Sequence, residues 1–213
     1  MALVVSDGVD GLTIGRLAAE IDYTKGALYR YFPSKDAIVS AMVLRVIRDL
    51  ARDVDEERER FGTPLSRLVA SAWTYRDFAR TRPRRFALLG TLLAASERVL
   101  PQPADVNPVV HEMIETLRPL DADLRGAIAA GELTAGDTIE RTLTLFATLH
   151  GVLSLHKQAA LVPEWIDLDH LTLGAVRTLL LGWGASSPAV EEAIELVVEP
   201  AARPGDTTCF FHT

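Results

Sequence analysis

Apolar residues in this 213-residue chain return every three or four positions, and no convincing two-residue alternation interrupts them. That period belongs to the α-helix, where residues i, i+3, i+4 and i+7 share one face. The chain is therefore expected to be all-α. The first stripe, Ile14, Leu17, Ala18 and Ile21, follows Thr13, a residue suited to capping a helix start. Asp22 and Tyr23 separate it from a short second helix beginning near Thr24, with Ala27, Leu28 and Tyr31 at helical spacing. Phe32, Pro33 and Ser34 break that helix, and Ser34 can cap the next. The third stripe is long: Val39, Val43, Val46, Ile47, Leu50 and Val54. It runs into the charged stretch Asp55 to Arg60, expected to be a solvated helix end.

Gly62, Thr63 and Pro64 mark a joint, with a glycine after one helix, then a capping threonine, then proline in the first turn of the next. Helices are expected at about 64–81 and 83–96, with a proline-punctuated loop from Pro101 to Pro108. A helix from about 108 to 130 should be kinked or divided near Pro119. Gly131 to Gly136 reads as a turn, and Asp137 with Glu140 forms a capping-box variant opening a helix to about Gln158. Another helix should run from about Leu168 to Trp183, and Ser187 with Pro188 should open a short last one. The expected division is a module at 1–48, its last helix continuing to about 60, a larger domain at 64–199, and a disordered tail at 200–213.

Composition narrows the class. The chain is 48% apolar and 24% charged, ordinary for a protein with a packed core. No apolar run approaches the roughly 18 residues needed to cross a bilayer, and no basic leader with an apolar run follows Met1. Cys209 is the single cysteine, which fits a reducing cytoplasm. The net charge of −7 is unevenly spread: residues 1–50 hold six Lys/Arg and six Asp/Glu, so the remainder carries all of it. A neutral module can still meet DNA where its few cations share a face, because phosphate contact is local.

Two short helices joined by a tight turn and followed by a third form a helix-turn-helix pattern. Its second helix must stand proud, so that its leading residues reach base edges in the major groove. The segment from Thr24 to Tyr31 suits that task. Leu28 and Phe32 anchor it inward, while Lys25, Tyr29 and Arg30 are left outward, where cations and a phenol meet phosphates or bases. Gly26 and Ala27 are small enough for close approach to the groove.

The run Gly11-Leu12-Thr13-Ile14, through Leu17 and Ala18, to Thr24-Lys25-Gly26-Ala27-Leu28-Tyr29-Arg30-Tyr31-Phe32-Pro33-Ser34-Lys35 resembles the TetR family signature. The match is dense over about residues 2–50, and weaker over 137–157 and the turn at Gly131, Glu132 and Leu133. The resemblance implies phosphate contacts from Thr13 and Thr24 at helix N-termini, where the dipole favours an anion. It implies phosphate or sugar contacts from Tyr29, Tyr31 and Lys35, and base reading by Lys25, Gly26, Ala27 and Arg30. For Tyr29 and Tyr31, ordinary core packing is the competing role. Three departures stand out. Asp22 occupies the turn where the family usually has glycine, Tyr23 replaces a small aliphatic residue, and only seven residues precede Gly8. The last departure cuts the family's first helix short, so either the natural start lies upstream, the favoured expectation, or the module is less stable and binds weakly.

One recognition helix covers only a few base pairs, so a double-stranded operator calls for two, and a homodimer is expected. The family pairs the helices near 138–158 and 168–184, which nominates Gly151, Leu155, Leu171, Gly174, Ala175 and Thr178 for the interface. Internal packing is the alternative role for the small residues among them. An effector pocket of mostly apolar character is expected among Trp73, Phe86, Leu89, Leu93, Met113, Leu117, Phe146, Leu149, His150 and Leu153, with Phe78 and His111 as further candidates. Each of these is also a plausible core residue. Arg76, Arg80, Arg82, Arg84 and Arg85 are expected to form a solvated or salt-bridged face.

No phosphate-binding glycine loop, nucleophile elbow, zinc-protease helix or paired C-x-x-C motif occurs, and Cys209 has no ordered neighbour to activate it. His111 and Glu115 lie one turn apart, too few ligands for a metal site. No catalytic residue, cofactor or metal is expected. The sequence thus points to a ligand-responsive transcription regulator, most simply a repressor. The alternative is a helical small-molecule-binding or enzymatic bundle whose N-terminal module no longer binds DNA.

Overall fold

A computed structural model describes residues 35–94 and 108–198, and among them every regular element is a helix. These are α1 (Lys35–Arg58), α2 (Pro64–Thr81), α3 (Pro83–Ala94), α4 (Pro108–Ala129), α5 (Thr138–Ser154), α6 (His156–Leu161), α7 (Leu168–Gly182) and α8 (Ser187–Val198). The expected helix-turn-helix at residues 13–34, the loop at 101–107 and the tail from 200 lie outside the described residues.

Local signals account for most of the helix boundaries. Thr63 Oγ1 accepts from Ser66 N at 3.1 Å, so the threonine caps α2 and Pro64 occupies a position whose N–H would be unsatisfied anyway. Asp137 Oδ1 accepts from Ile139 N at 2.9 Å and Glu140 N at 3.1 Å, opening α5. Asp167 caps α7 in the same way, through Asp169 N and His170 N. Gly131 turns the chain after α4 with φ +74, and Gly184 closes α7 with φ +95, a region where a side chain is strained.

Three expectations are refined. α4 is not divided at Pro119, whose carbonyl accepts from Arg58 Nη2 at 3.4 Å. The helix opened by Asp137 stops at Ser154 rather than near Gln158, and α6 is a separate single turn and a half. The charged end of α1 is solvated at Glu56, Glu59 and Arg60 but not at Arg58. Arg58 is only 12% exposed and Asp123 on α4 only 4%, and they are joined by two bonds, Nε to Oδ2 at 3.0 Å and Nη2 to Oδ2 at 2.7 Å.

The described residues fall into two compact units. One comprises residues 35–53, 77–94 and 108–118. Its buried side chains include Val43, Val46, Ile47, Leu50, Phe78, Phe86, Leu88, Leu89 and Val109. Asp49, itself buried, gathers Arg45, Arg52 and Arg85, while Arg82 pairs with Asp53 and Arg48 with Glu112. Of the arginines expected on a solvated or salt-bridged face, Arg82 and Arg85 pair as above, Arg80 pairs with Asp77 and Arg84 is exposed, whereas Arg76 is buried and belongs to the other unit.

The other unit comprises residues 54–76 and 119–198. Leu65, Leu68, Leu124, Leu133, Leu145, Leu153, Val176, Leu180 and Val190 are almost wholly buried there, each worth about 1.5–3 kcal/mol over exposure. Gly126 lets α4 pass close to the start of α2, since a Cβ there would lie 3.3 Å from Pro64 Cγ. α7 packs against both α5 and α8. Its last turn is tied to the residues before α5, because Thr134 N and Thr134 Oγ1 both donate to Trp183 O, at 2.9 and 2.8 Å. The start of α5 is therefore near the end of α7, and the two helices run antiparallel, joined at the far end through α6.

Candidate functional site

Within the second unit, the turn spacing of α2 places Leu68, Ala72 and Tyr75 on one buried face. Tyr75 Oη lies 2.7 Å from His150 Nδ1 on α5. Phe146, one turn earlier on α5, stacks on Tyr75 at 6.1 Å between ring centroids and tilts against His150 at 6.0 Å. Burial drives the Tyr75 hydroxyl far above its usual range, so it remains a phenol and a donor. Burial also lowers the pKa of His150, because an imidazolium there would lose hydration. A neutral His150 accepting from Tyr75 at Nδ1 carries its proton on Nε2. The arrangement is a small aromatic cluster with one histidine N–H donor, able to orient an apolar molecule that bears a hydrogen-bond acceptor.

The expected pocket residues are divided between the two units. Phe86, Leu89, Met113 and Leu117 belong to the first; Trp73, Phe146, Leu149, His150 and Leu153 belong to the second. Phe86, Leu89, Leu149 and Leu153 are buried, and Met113, Leu117, Phe146, His150 and Trp73 are partly so. The side chain of Leu93 lies outside the described residues. Trp73 carries the Arg76 guanidinium 4.3 Å from its ring centroid, and Arg76 grips Asp169 with two nitrogens. His111 meets Glu115 at 3.9 Å, and no cluster of metal-ligating side chains occurs among the described residues. Tyr75 was missed in the sequence. Its spacing from Leu68 and Ala72 marked it as a core-facing residue, but nothing local indicated that its hydroxyl would find a histidine 75 positions away.

The other feature of this unit is what α5 and α7 leave uncovered. Ile139, Leu143, Ala147 and Gly151 recur at four-residue spacing along an exposed face of α5, and Leu155 follows. On α7, Leu171, Thr178 and Leu181 are exposed, with Gly174 and Ala175 partly so. A Cβ added at Gly151 or Gly174 would meet nothing within 4 Å, so neither glycine serves a close contact among the described residues. Of the residues expected to read DNA, Thr13, Thr24, Lys25, Gly26, Ala27, Tyr29, Arg30 and Tyr31 lie outside the described residues. Lys35 begins α1, with its side chain likewise outside them.

Residues 1–42 match the model of the bacterial regulatory proteins, tetR family. Residues 68–179, more than half of the chain, match the tetracyclin repressor-like C-terminal domain. The chain belongs to the TetR family. This TetR-family transcriptional regulator has an N-terminal helix-turn-helix domain and an all-helical C-terminal domain. The nucleoid occlusion factor SlmA of Actinobacillus pleuropneumoniae serotype 5b is 35% identical over 77 residues, which is 36% of this chain and 38% of that protein. The chain thus matches well under half the length of that relative. The regulator FadR from Bacillus subtilis, solved with stearoyl-CoA, superposes with a TM-score of 0.67 at 16% identity, covering 85% of this chain and 94% of FadR. SmeT, repressor of the Stenotrophomonas maltophilia multidrug efflux pump SmeDEF, gives a TM-score of 0.65 at 23% identity over 87% of this chain and 86% of its own. At such identities the likeness is one of fold. Among the described residues, no helix is long and apolar enough to cross a membrane.

Proposed function

We propose that this TetR-family regulator is a cytoplasmic repressor that binds a palindromic operator as a homodimer and is released by a small, mostly apolar effector. The observation that carries the reading is the pair of uncharged, exposed stripes on antiparallel α5 and α7. Ile139, Leu143, Leu155, Leu171 and Leu181 stand in water in the single chain, and Gly151 and Gly174 leave room for another backbone to approach. A self-complementary apolar face of this kind favours a twofold pair. Two copies supply the two recognition helices that half-sites about 34–36 Å or a multiple apart demand. In this reading the DNA-binding domain is 1–48 and the regulatory domain 64–199.

Lys25, Gly26, Ala27 and Arg30 read bases, while Thr13, Thr24, Tyr29, Tyr31 and Lys35 hold phosphates and sugars. The effector lies against Trp73, Phe146, Leu149 and Leu153 of the second unit, with His150 as its polar anchor. It moves the operator equilibrium only by its differential affinity for the two states. Gel shifts on DNA from the gene's own upstream region test the assignment. Tyr29→Ala and Lys35→Ala should weaken binding on every duplex, whereas Arg30→Ala should also change sequence preference. Equal behaviour of all three with the parent refutes it.

A further inference from the structure

The segment joining α5 to α7 carries the most exposed large apolar side chains described. Leu161 is 81% exposed and Trp165 is 85% exposed, with Val162 between them also exposed. The backbone there is hydrogen-bonded: Val162 N donates to Gln158 O at 3.0 Å, Trp165 N to Val162 O at 3.0 Å and Ile166 N to Val162 O at 3.1 Å. A turn of defined shape thus holds an indole and an isobutyl group in water, where each loses the burial a large apolar side chain normally gains. The segment leaves from Leu155, the exposed C-cap of α5, and leads along the chain to Leu171 on the uncovered stripe of α7. It therefore bridges the two stripes where α5 ends and α7 begins.

We propose that Trp165, with Leu161 and Val162, is an arm that docks on the second copy of this chain, outside the α5 and α7 stripes themselves. This rests on the dimer reading above. Charge argues against a phosphate-bearing partner: between residues 155 and 170 the only lysine or arginine is Lys157, against Glu164 and Asp167, with Asp169 already held by Arg76. A DNA duplex or an anionic bilayer would be repelled there, whereas an uncharged protein face would not. Continuity with the stripes argues for the same partner that covers them. Tryptophan buries about 150–250 Å² and is enriched among residues that dominate interfaces, and twofold symmetry makes each arm contact twice.

The test uses the full chain in sedimentation equilibrium, comparing the parent with Trp165→Ala, Leu161→Ser and Leu171→Glu. Each arm variant should raise the dimer Kd about tenfold or more with unchanged helicity, since neither side chain is packed inside the fold. Leu171→Glu, in the stripe, should abolish the dimer. If Leu171→Glu is monomeric while both arm variants stay within about twofold of the parent, the dimer stands and the arm is refuted. A parent that is monomeric at every concentration overturns the dimer reading and the arm with it. Quenching of Trp165 by phosphatidylglycerol vesicles, with the dimer Kd unaltered by either arm variant, would assign the arm to a membrane and also overturn the proposal.

Discussion

Replacing Arg58 with leucine should be among the costliest single changes in the C-terminal domain. Asp123 is buried, and Arg58 supplies both of its short bonds, leaving Arg67 Nη1 at 3.9 Å as the remaining cation. Removing one partner of a buried pair strands the other charge, at about 3–5 kcal/mol. For a chain of this size that corresponds to a fall in Tm of roughly 6–20 °C. Leucine at both positions 58 and 123 should restore the parent's stability or exceed it, because two desolvation costs disappear with the pair. The pH dependence has a definite sign. Burial raises the Asp123 pKa, outweighing the opposing pull of Arg58 and Arg67. A carboxyl whose folded pKa lies above its unfolded value destabilises the fold when ionised, and that penalty fades as pH falls through the folded pKa. Loss of Arg58 raises the folded pKa further, so the deficit of Arg58→Leu should shrink between neutral pH and the folded pKa. Urea melts of the parent, both single variants and the double variant, at fixed protein concentration, measure all of this. A cost for Arg58→Leu below about 1 kcal/mol, or a double variant no better than the single, would refute the reasoning.

Three further outcomes are expected. Tyr75→Phe should cost about 0.5–1.5 kcal/mol by urea melt, the net worth of the hydrogen bond to His150. His150 has a lowered folded pKa, so its contribution is complete above the unfolded value and is lost as pH falls below it. Stability should therefore drop from pH 7 to 5, and His150→Gln should flatten that drop. Gly184→Ala should destabilise by more than about 1 kcal/mol in a thermal melt, since φ is +95 and the new Cβ would collide with Thr134.

Much of this molecule could be read along the chain. Helix starts at Pro64 and Thr138, the turn at Gly131 and the short last helix each rest on contacts within a few residues, and those recur in the structure as expected. Pro119 did not divide α4 because a single missing donor can be absorbed inside a packed helix, a circumstance no local pattern records. The break at Leu155 had no proline or glycine to announce it. Periodicity put Phe86, Leu89, Leu149 and Leu153 on buried faces but left Tyr75 unnoticed, since its partner comes from another helix.

Taken alone, the order of residues determined the helical class, the helix-turn-helix signature, and the caps and turns, because these depend on neighbours no more than a turn or two away. Only the tertiary structure decided that Arg58 is sunk against Asp123, that a phenol meets His150, and that Ile139, Leu143 and Leu171 stay wet. The physical reason is that helical spacing states which side chains share a face, whereas burial and pairing depend on what distant stretch of chain comes to lie against that face, or fails to.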